Sequence, residues 1–195
     1  MIKNQIENVE PFTQRNNIFN PSITCGDTST AIGLHYKGVV DPYEGYQLED
    51  YITKQCIDLP KDIAYGIING NSTWKWYVDN NRGFQVLPIL EYVCKKIYSG
   101  IELSWGITLD KVIENIDNNN PLVCLGDFSP ISYVSGHYTC VVGYDTEKET
   151  VTTKDPFGNA HTNYKDRNGN NIEYDWKIFL QKDNGYKYSY GFIIK

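Results

Sequence analysis

Leu109-Asp110-Lys111-Val112-Ile113-Glu114-Asn115-Ile116-Asp117-Asn118-Asn119-Asn120-Pro121-Leu122-Val123-Cys124-Leu125 is the stretch in which the chain changes its period. Leu109, Val112, Ile113 and Ile116 fall on one face of a helix, with Thr108 as its cap and Asn118-Asn119-Asn120-Pro121 as its stop. Past Pro121 the apolar residues come instead in short β-branched and aromatic runs, Leu122–Leu125, Tyr138–Tyr144, Thr150–Thr153 and Tyr188–Ile194, which predict strands. Upstream, the spacing is helical. A helix is expected over Cys25–Tyr36, with Ser22 or Thr24 to cap it and Ala31, Ile32 and Leu34 to bury. Leu48, Tyr51, Ile52 and Cys56 repeat at helical spacing before Pro60, and Pro88 can open a helix through Leu90, Val93, Cys94 and Ile97. Helices first and strands later predict an α+β domain in which an N-terminal helical half packs on an antiparallel sheet. A cleft between the halves is then the natural place for a site.

The 195 residues fit one domain, and no repeat, Pro/Gly/Ser linker or long charge block divides them. The only boundary expected is a polar lead-in over residues 1–10, with a single domain over 11–195. A composition of 41% hydrophobic and 22% charged residues excludes collagen-like, low-complexity and largely disordered classes. Eighteen Lys and Arg against 24 Asp and Glu give a net charge of -6, which removes the basic footprint that nucleic acid requires. No apolar run approaches the ~20 residues of a bilayer span, and the start Met1–Glu10 lacks the apolar core of a secretory signal. Synthesis in the cytoplasm is expected, with no membrane span.

Cys25, Cys56, Cys94, Cys124 and Cys140 are odd in number and form no C-x-x-C pair, so neither a disulfide framework nor a thiolate metal site is expected. Of the three histidines, His137 follows Gly136 and opens a strand-like run, whereas Asp155-Pro156 closes the next. The centre of that pair is residue 146, inside the polar segment Asp145–Glu149. If the segment is a hairpin loop, His137 and Asp155 face each other to within about two residues, and the carboxylate can orient the imidazole. Parity decides whether they share a face. The best nucleophile is Cys25, whose thiolate a helix N-terminus and a nearby imidazolium both favour; Asp27 opposes it if it points at the sulfur. The Cys25 backbone amide and the Gln14 side-chain amide can hold an oxyanion. Each element alone also has a bland reading: a buried small thiol, a core histidine, a turn.

Three segments in order, Pro11–Ser29 with Gln14 and Cys25, Gly136–Tyr144 with His137, and Asp155–Asn159, resemble the motifs of the bacteriocin-processing-peptidase-like family of papain-fold cysteine peptidases. The resemblance covers about residues 11–175, and the tail from Tyr164 through Gly169 to Tyr174 is similar to the branch common in phage and cell-wall lysins. It implies Cys25 as nucleophile, His137 as general base and then acid, Asp155 as orienting carboxylate and Gln14 as oxyanion donor, in agreement with the chemistry read from the residues. Asp27 departs from the pattern, because many relatives carry an apolar residue or proline there. Residues 37–104 match nothing specific.

The other signals have plainer readings. His35 lies off the thiol's helix face, and His161 follows a turn. Asp166-Arg167-Asn168-Gly169-Asn170 has calcium-loop spacing without the distal glutamate and is read as a turn; no cofactor and no metal are expected. Trp74, Trp76 and Tyr77 alternate as on a strand and, with Trp105, could be core or a platform for sugar or peptide. The expected function is endopeptidase cleavage through a thioester, with peptidoglycan peptides as first substrate class and action at the bacterial wall after release or within a phage particle. The alternatives are an intracellular protein- or leader-processing peptidase and a non-catalytic binding module on the same fold.

Overall fold

The computed structural model describes residues 3–40, 45–183 and 186–195. Met1 and Ile2, the first residues of the expected lead-in, lie outside the described residues. The fold is α+β, as the change of period at Pro121 predicts. The helical half is α1 (Cys25–Tyr36), α2 (Leu48–Ile57), α3 (Lys61–Ile68), α4 (Ser72–Asp79) and α5 (Leu87–Ile97). One more helix, α6 (Leu109–Asp117), follows strand β2 (Ile101–Ile107). The antiparallel sheet runs β2-β8-β3-β4-β5-β6, where β3 is Leu122–Asp127, β4 Gly136–Asp145, β5 Thr150–Lys154, β6 Ile172–Asp175 and β8 Tyr186–Ile194. Two short strands lie off this path: β1 (Lys3–Gln5) pairs with β4, and β7 (Gln181–Asp183) with β8. The polar lead-in therefore adds a strand to the sheet and sinks Ile6 and Val9 into the core.

Both faces of the sheet are covered, which is why β3 and β4 are nearly continuous apolar runs rather than alternating ones. Val123, Phe192 and Ile194 join the helical half with Leu34, Leu48, Ile52 and Leu90. Their neighbours Leu122, Cys124 and Ile193 point to the other face, against Val112 and Ile116 of α6 and the aromatic residues Tyr144, Tyr174 and Phe179. Strand pleating sends consecutive side chains to opposite cores. Helix α1 is the hinge of this packing. Its residues from Asp27 to Leu34 are all buried, so it has no solvent stripe and lies wedged between α2 and β4. Ser29 Oγ donates to the Tyr138 carbonyl at 3.0 Å and ties the helix to the strand.

Two local expectations change. Trp74, Trp76 and Tyr77 lie on helix α4, because Asn71 caps a turn by accepting from the Trp74 N–H; period-2 spacing over four residues fits a helix end as well as a strand. Trp74 stacks on Trp105 with ring centroids 6.2 Å apart, and Trp105 contacts Tyr190 at 5.7 Å. At α1, Thr24 takes the cap position without bonding a helix N–H, since its hydroxyl receives Asn17 instead.

Candidate active site

Cys25 is the first residue of α1, and His137 is the second residue of β4. The hairpin between β4 and β5 pairs Cys140 with Lys154 and Val141 with Thr153 before a bulge at Val141/Gly143 shifts the register. Extending that pairing puts Asp155 level with Thr139, two residues from the position expected for it. The offset preserves parity, because residues two apart on a strand share a face and diagonal neighbours remain within reach. His137 Nε2 and Asp155 Oδ1 are 2.7 Å apart, and both residues are buried.

Every oxygen of Asp155 is occupied. Oδ1 also accepts from the Phe157 N–H at 2.9 Å, and Oδ2 accepts from the Tyr174 hydroxyl at 2.8 Å. Tyr174 in turn accepts the Ala160 N–H at 3.0 Å, and burial beside the Asp155 charge holds its phenol protonated well above the usual range. The imidazole sits edge-on to Phe128, with centroids 5.3 Å apart, and to Tyr164 at 5.8 Å. Rings on these sides fix its plane.

The segment with calcium-loop spacing holds the carboxylate's backbone. It folds as successive turns closed by Asp166 Oδ1 and Asn168 Oδ1, and Gly169 presses directly on Asp155. The Asp155 N–H donates to the Gly169 carbonyl at 2.8 Å, and a Cβ on Gly169 would collide with the Asp155 carbonyl oxygen. Among the described residues no group of three or more His, Cys, Asp or Glu side chains is placed to hold a metal ion. His161 sits in a short helical turn, and its Nε2 is 2.8 Å from the Glu173 carbonyl, away from the thiol.

The Cys25 thiol lies beside the His137 ring, close enough for each group to shift the other's ionisation. Since Nε2 faces Asp155, Nδ1 is the nitrogen left for the sulfur. Burial opposes ionisation of the thiol, but the His137 hydrogen bond and charge, with the Tyr138 and Gly26 backbone N–H groups, outweigh it and hold Cys25 below the usual thiol range. Burial likewise disfavours imidazolium, while the Asp155 charge and hydrogen bond and the Cys25 contact push His137 well above the usual histidine range. The pair thus favours thiolate and imidazolium together. Cys56, Cys94, Cys124 and Cys140 are buried and shifted upward by burial, so they are inert thiols.

Gln14 lines the same cavity as Cys25. Its Nε2 donates to the Pro21 carbonyl at 2.7 Å, which uses one of two N–H bonds and leaves the other for an oxyanion. Its backbone is laced to the Asp155 loop: Gln14 N–H donates to the Pro156 carbonyl at 3.0 Å, and Arg15 Nε donates to the Phe157 carbonyl at 2.9 Å while its guanidinium covers the Phe157 ring at 4.0 Å. Asn17 holds the next loop turn on α1 by donating to Thr24 and Thr28, both at 2.9 Å. Arg15, Asn17 and Tyr174 carry no chemical signature in the sequence; only their folded positions reveal them. Asp27 is near enough to the sulfur for their charges to interact, and burial together with the Cys25 charge raises its carboxyl well above the usual range, which weakens its opposition to the thiolate.

A profile of the Peptidase_C39-like family matches residues 6–183. The chain belongs to this family. The fold agrees: a crystal structure from Bacillus anthracis described as a C39-like peptidase superposes with a TM-score of 0.58 at 14% identity, covering 100% of this chain and 98% of that one. None of the curated proteins matches the chain. The resemblance read in the three motifs thus holds at the level of a papain-like cysteine peptidase family.

Proposed function

We propose that the protein is a cysteine endopeptidase. The observation that carries this is the placement of the Cys25 thiol beside His137, whose ring is held by a fully hydrogen-bonded Asp155, in a cavity of about 350 Å3 between the helical half and the sheet. In the proposed reaction the Cys25 thiolate attacks a peptide carbonyl carbon, and the oxygen takes the negative charge. The Cys25 N–H at the helix start and the free Gln14 N–H receive it. Collapse breaks the C–N bond as His137 gives its proton to the leaving amine. Water, deprotonated by His137, then attacks the thioester, the C–S bond breaks, and the thiolate and imidazolium are restored.

The proposed substrates are stem or cross-bridge peptides of peptidoglycan, met at the bacterial wall after release or as part of a phage particle. Support comes from the tail around Gly169, similar to that of wall lysins, which here braces Asp155. No described helix is long and apolar enough to cross a membrane. Wild type and Cys25→Ala are incubated with Gram-positive walls, and released fragments are read by mass spectrometry. Fragments with new amino groups from wild type alone are expected. Release of nothing, with Cys25 still selectively alkylated, turns the reading to a protein-processing peptidase; amide adducts in place of new amino termini turn it to transfer.

A further inference from the structure

Asp27 is the one buried acid beside Cys25 that the proposed reaction does not use. It is 1% exposed, it lines the cavity, and its Oδ1 has no hydrogen-bond partner. Its other contact is Thr53, whose own hydroxyl hydrogen goes to the Glu49 carbonyl at 2.9 Å. Among the described residues no cation pairs with this carboxyl. A buried polar atom left unpaired costs about 1–3 kcal/mol, and such atoms in native proteins call for a role.

The same cavity holds two more orphaned acceptors. Gln85 Oε1 and Gln14 Oε1 are buried without partners, and both residues line it. Three acceptors without donors form a site that is complete only when a donor-rich group enters. Much of the remaining wall is apolar or aromatic, with Tyr77, Phe84, Leu87 and Leu90 from the helical half and Tyr138 from the sheet. A volume of about 350 Å3 fits pockets that take small ligands, roughly 300–1,000 Å3.

From this juxtaposition we infer that the cavity is a specificity site for a side chain with an apolar stem and an ammonium tip, of the lysine type, with Asp27 and Gln85 as its receptors. The methylene stem lies along the aromatic and leucine wall, as long cationic side chains do on apolar surface. The ammonium has three donors for acceptors that lack them, and it supplies the counter-charge missing from a buried carboxyl. On binding, the proton of the Asp27 carboxyl passes to bulk water and Asp27 pairs as carboxylate with the cation. The inference deepens the peptidase reading, naming the residue type held next to the scissile bond. It also explains why an acid stands two residues after Cys25.

Binding separates this from the peptidase reading. Cys25→Ala is titrated by NMR with Nα-acetyl-lysine methylamide and with its norleucine counterpart, which has the stem without the ammonium. At least tenfold tighter binding of the lysine ligand is expected, with shifts confined to residues around Asp27 and Gln85. The double variant Cys25→Ala/Asp27→Asn is expected to bind both ligands about equally, its norleucine affinity serving as the check on folding. Equal binding of the two ligands by Cys25→Ala, or a lysine preference that survives Asp27→Asn, overturns the inference. In parallel, wild type cuts matched peptides containing either residue. Lysine-selective binding without any cleavage keeps the site and sinks the peptidase reading, whereas cleavage without lysine selectivity in either assay sinks the site alone.

Discussion

Two buried acids flank Cys25, one on each half of the molecule, and they are built in opposite ways. Asp155 on the sheet side has His137, Phe157 N–H and Tyr174 on its two oxygens and Gly169 against its backbone. Asp27 on the helix side has one oxygen on Thr53 and the other on nothing. The first is over-determined, which is what orienting an imidazole to within a fraction of an ångström requires. The second is under-determined, which a binding group can be. The comparison teaches that burial alone does not define a carboxylate's role; the count of its donors does.

Breaking the sheet side carries the largest effect. Asp155→Asn is expected to lower kcat on any cleaved peptide by about 10³- to 10⁴-fold, because the imidazole loses its orienting charge and tautomer; steady-state kinetics check it, and a loss below tenfold contradicts the assigned role. Gly169→Ala forces the Asp155 backbone to move and is expected to cost about 100-fold, since misplacement near 1 Å has that price. Its readout is kcat with KM little changed. Tyr174→Phe removes one of the three donors and leaves the ring in place, so a drop of about tenfold is expected, in line with a hydrogen bond to a charged group.

Stability sharpens the same contrast with a smaller effect of opposite sign. A carboxyl whose folded-state pKa is raised is protonated on folding, so its contribution is present near and below the usual carboxylate pKa of ~3.9 and is lost as pH rises toward the folded value. Asp27 is raised in this way by burial and by Cys25. Asp27→Asn is therefore expected to raise Tm at pH 7 by roughly 2–4 °C, the shift of about 1 kcal/mol in a domain of this size, and to lose that gain near pH 4. Asp155→Asn is expected to lower Tm at pH 7, because it disturbs satisfied partners. Thermal melts at the two pH values check both signs.

The halves also differ in how much the sequence disclosed. On the sheet side, β3, β4, β5 and β8 were legible, because runs buried on both faces are long and apolar, and the His137–Asp155 pair followed from hairpin symmetry. The two-residue offset lies within that expectation, but its parity was not legible: the bulge between Val141 and Gly143, which moves Asp155 from level with Cys140 to level with Thr139, has no signature in residue type. Helices α1, α5 and α6 were legible from caps, Pro88 and periodicity. Helices α3 and α4 were not, being eight residues each with mixed exposure, and α4 showed an alternation that suggested a strand. Cys25, His137, Asp155 and Gln14 were nameable because their chemistry is distinctive. Arg15, Tyr174 and Gly169 act through hydrogen bonds and close packing with residues up to 149 positions away, and local pattern holds no trace of that.

The central claim is that Cys25 rests as a thiolate paired with the His137 imidazolium. The most direct measurement is the rate of Cys25 alkylation by iodoacetamide from pH 4 to 10, read by mass spectrometry on all five cysteines, in wild type and His137→Ala. Selective modification of Cys25 is predicted, with a rate that is already high at pH 6, below the usual thiol pKa of ~8.5, and that collapses at this pH in His137→Ala. A wild-type curve that rises only around pH 8.5 and overlays that of His137→Ala would contradict the pairing.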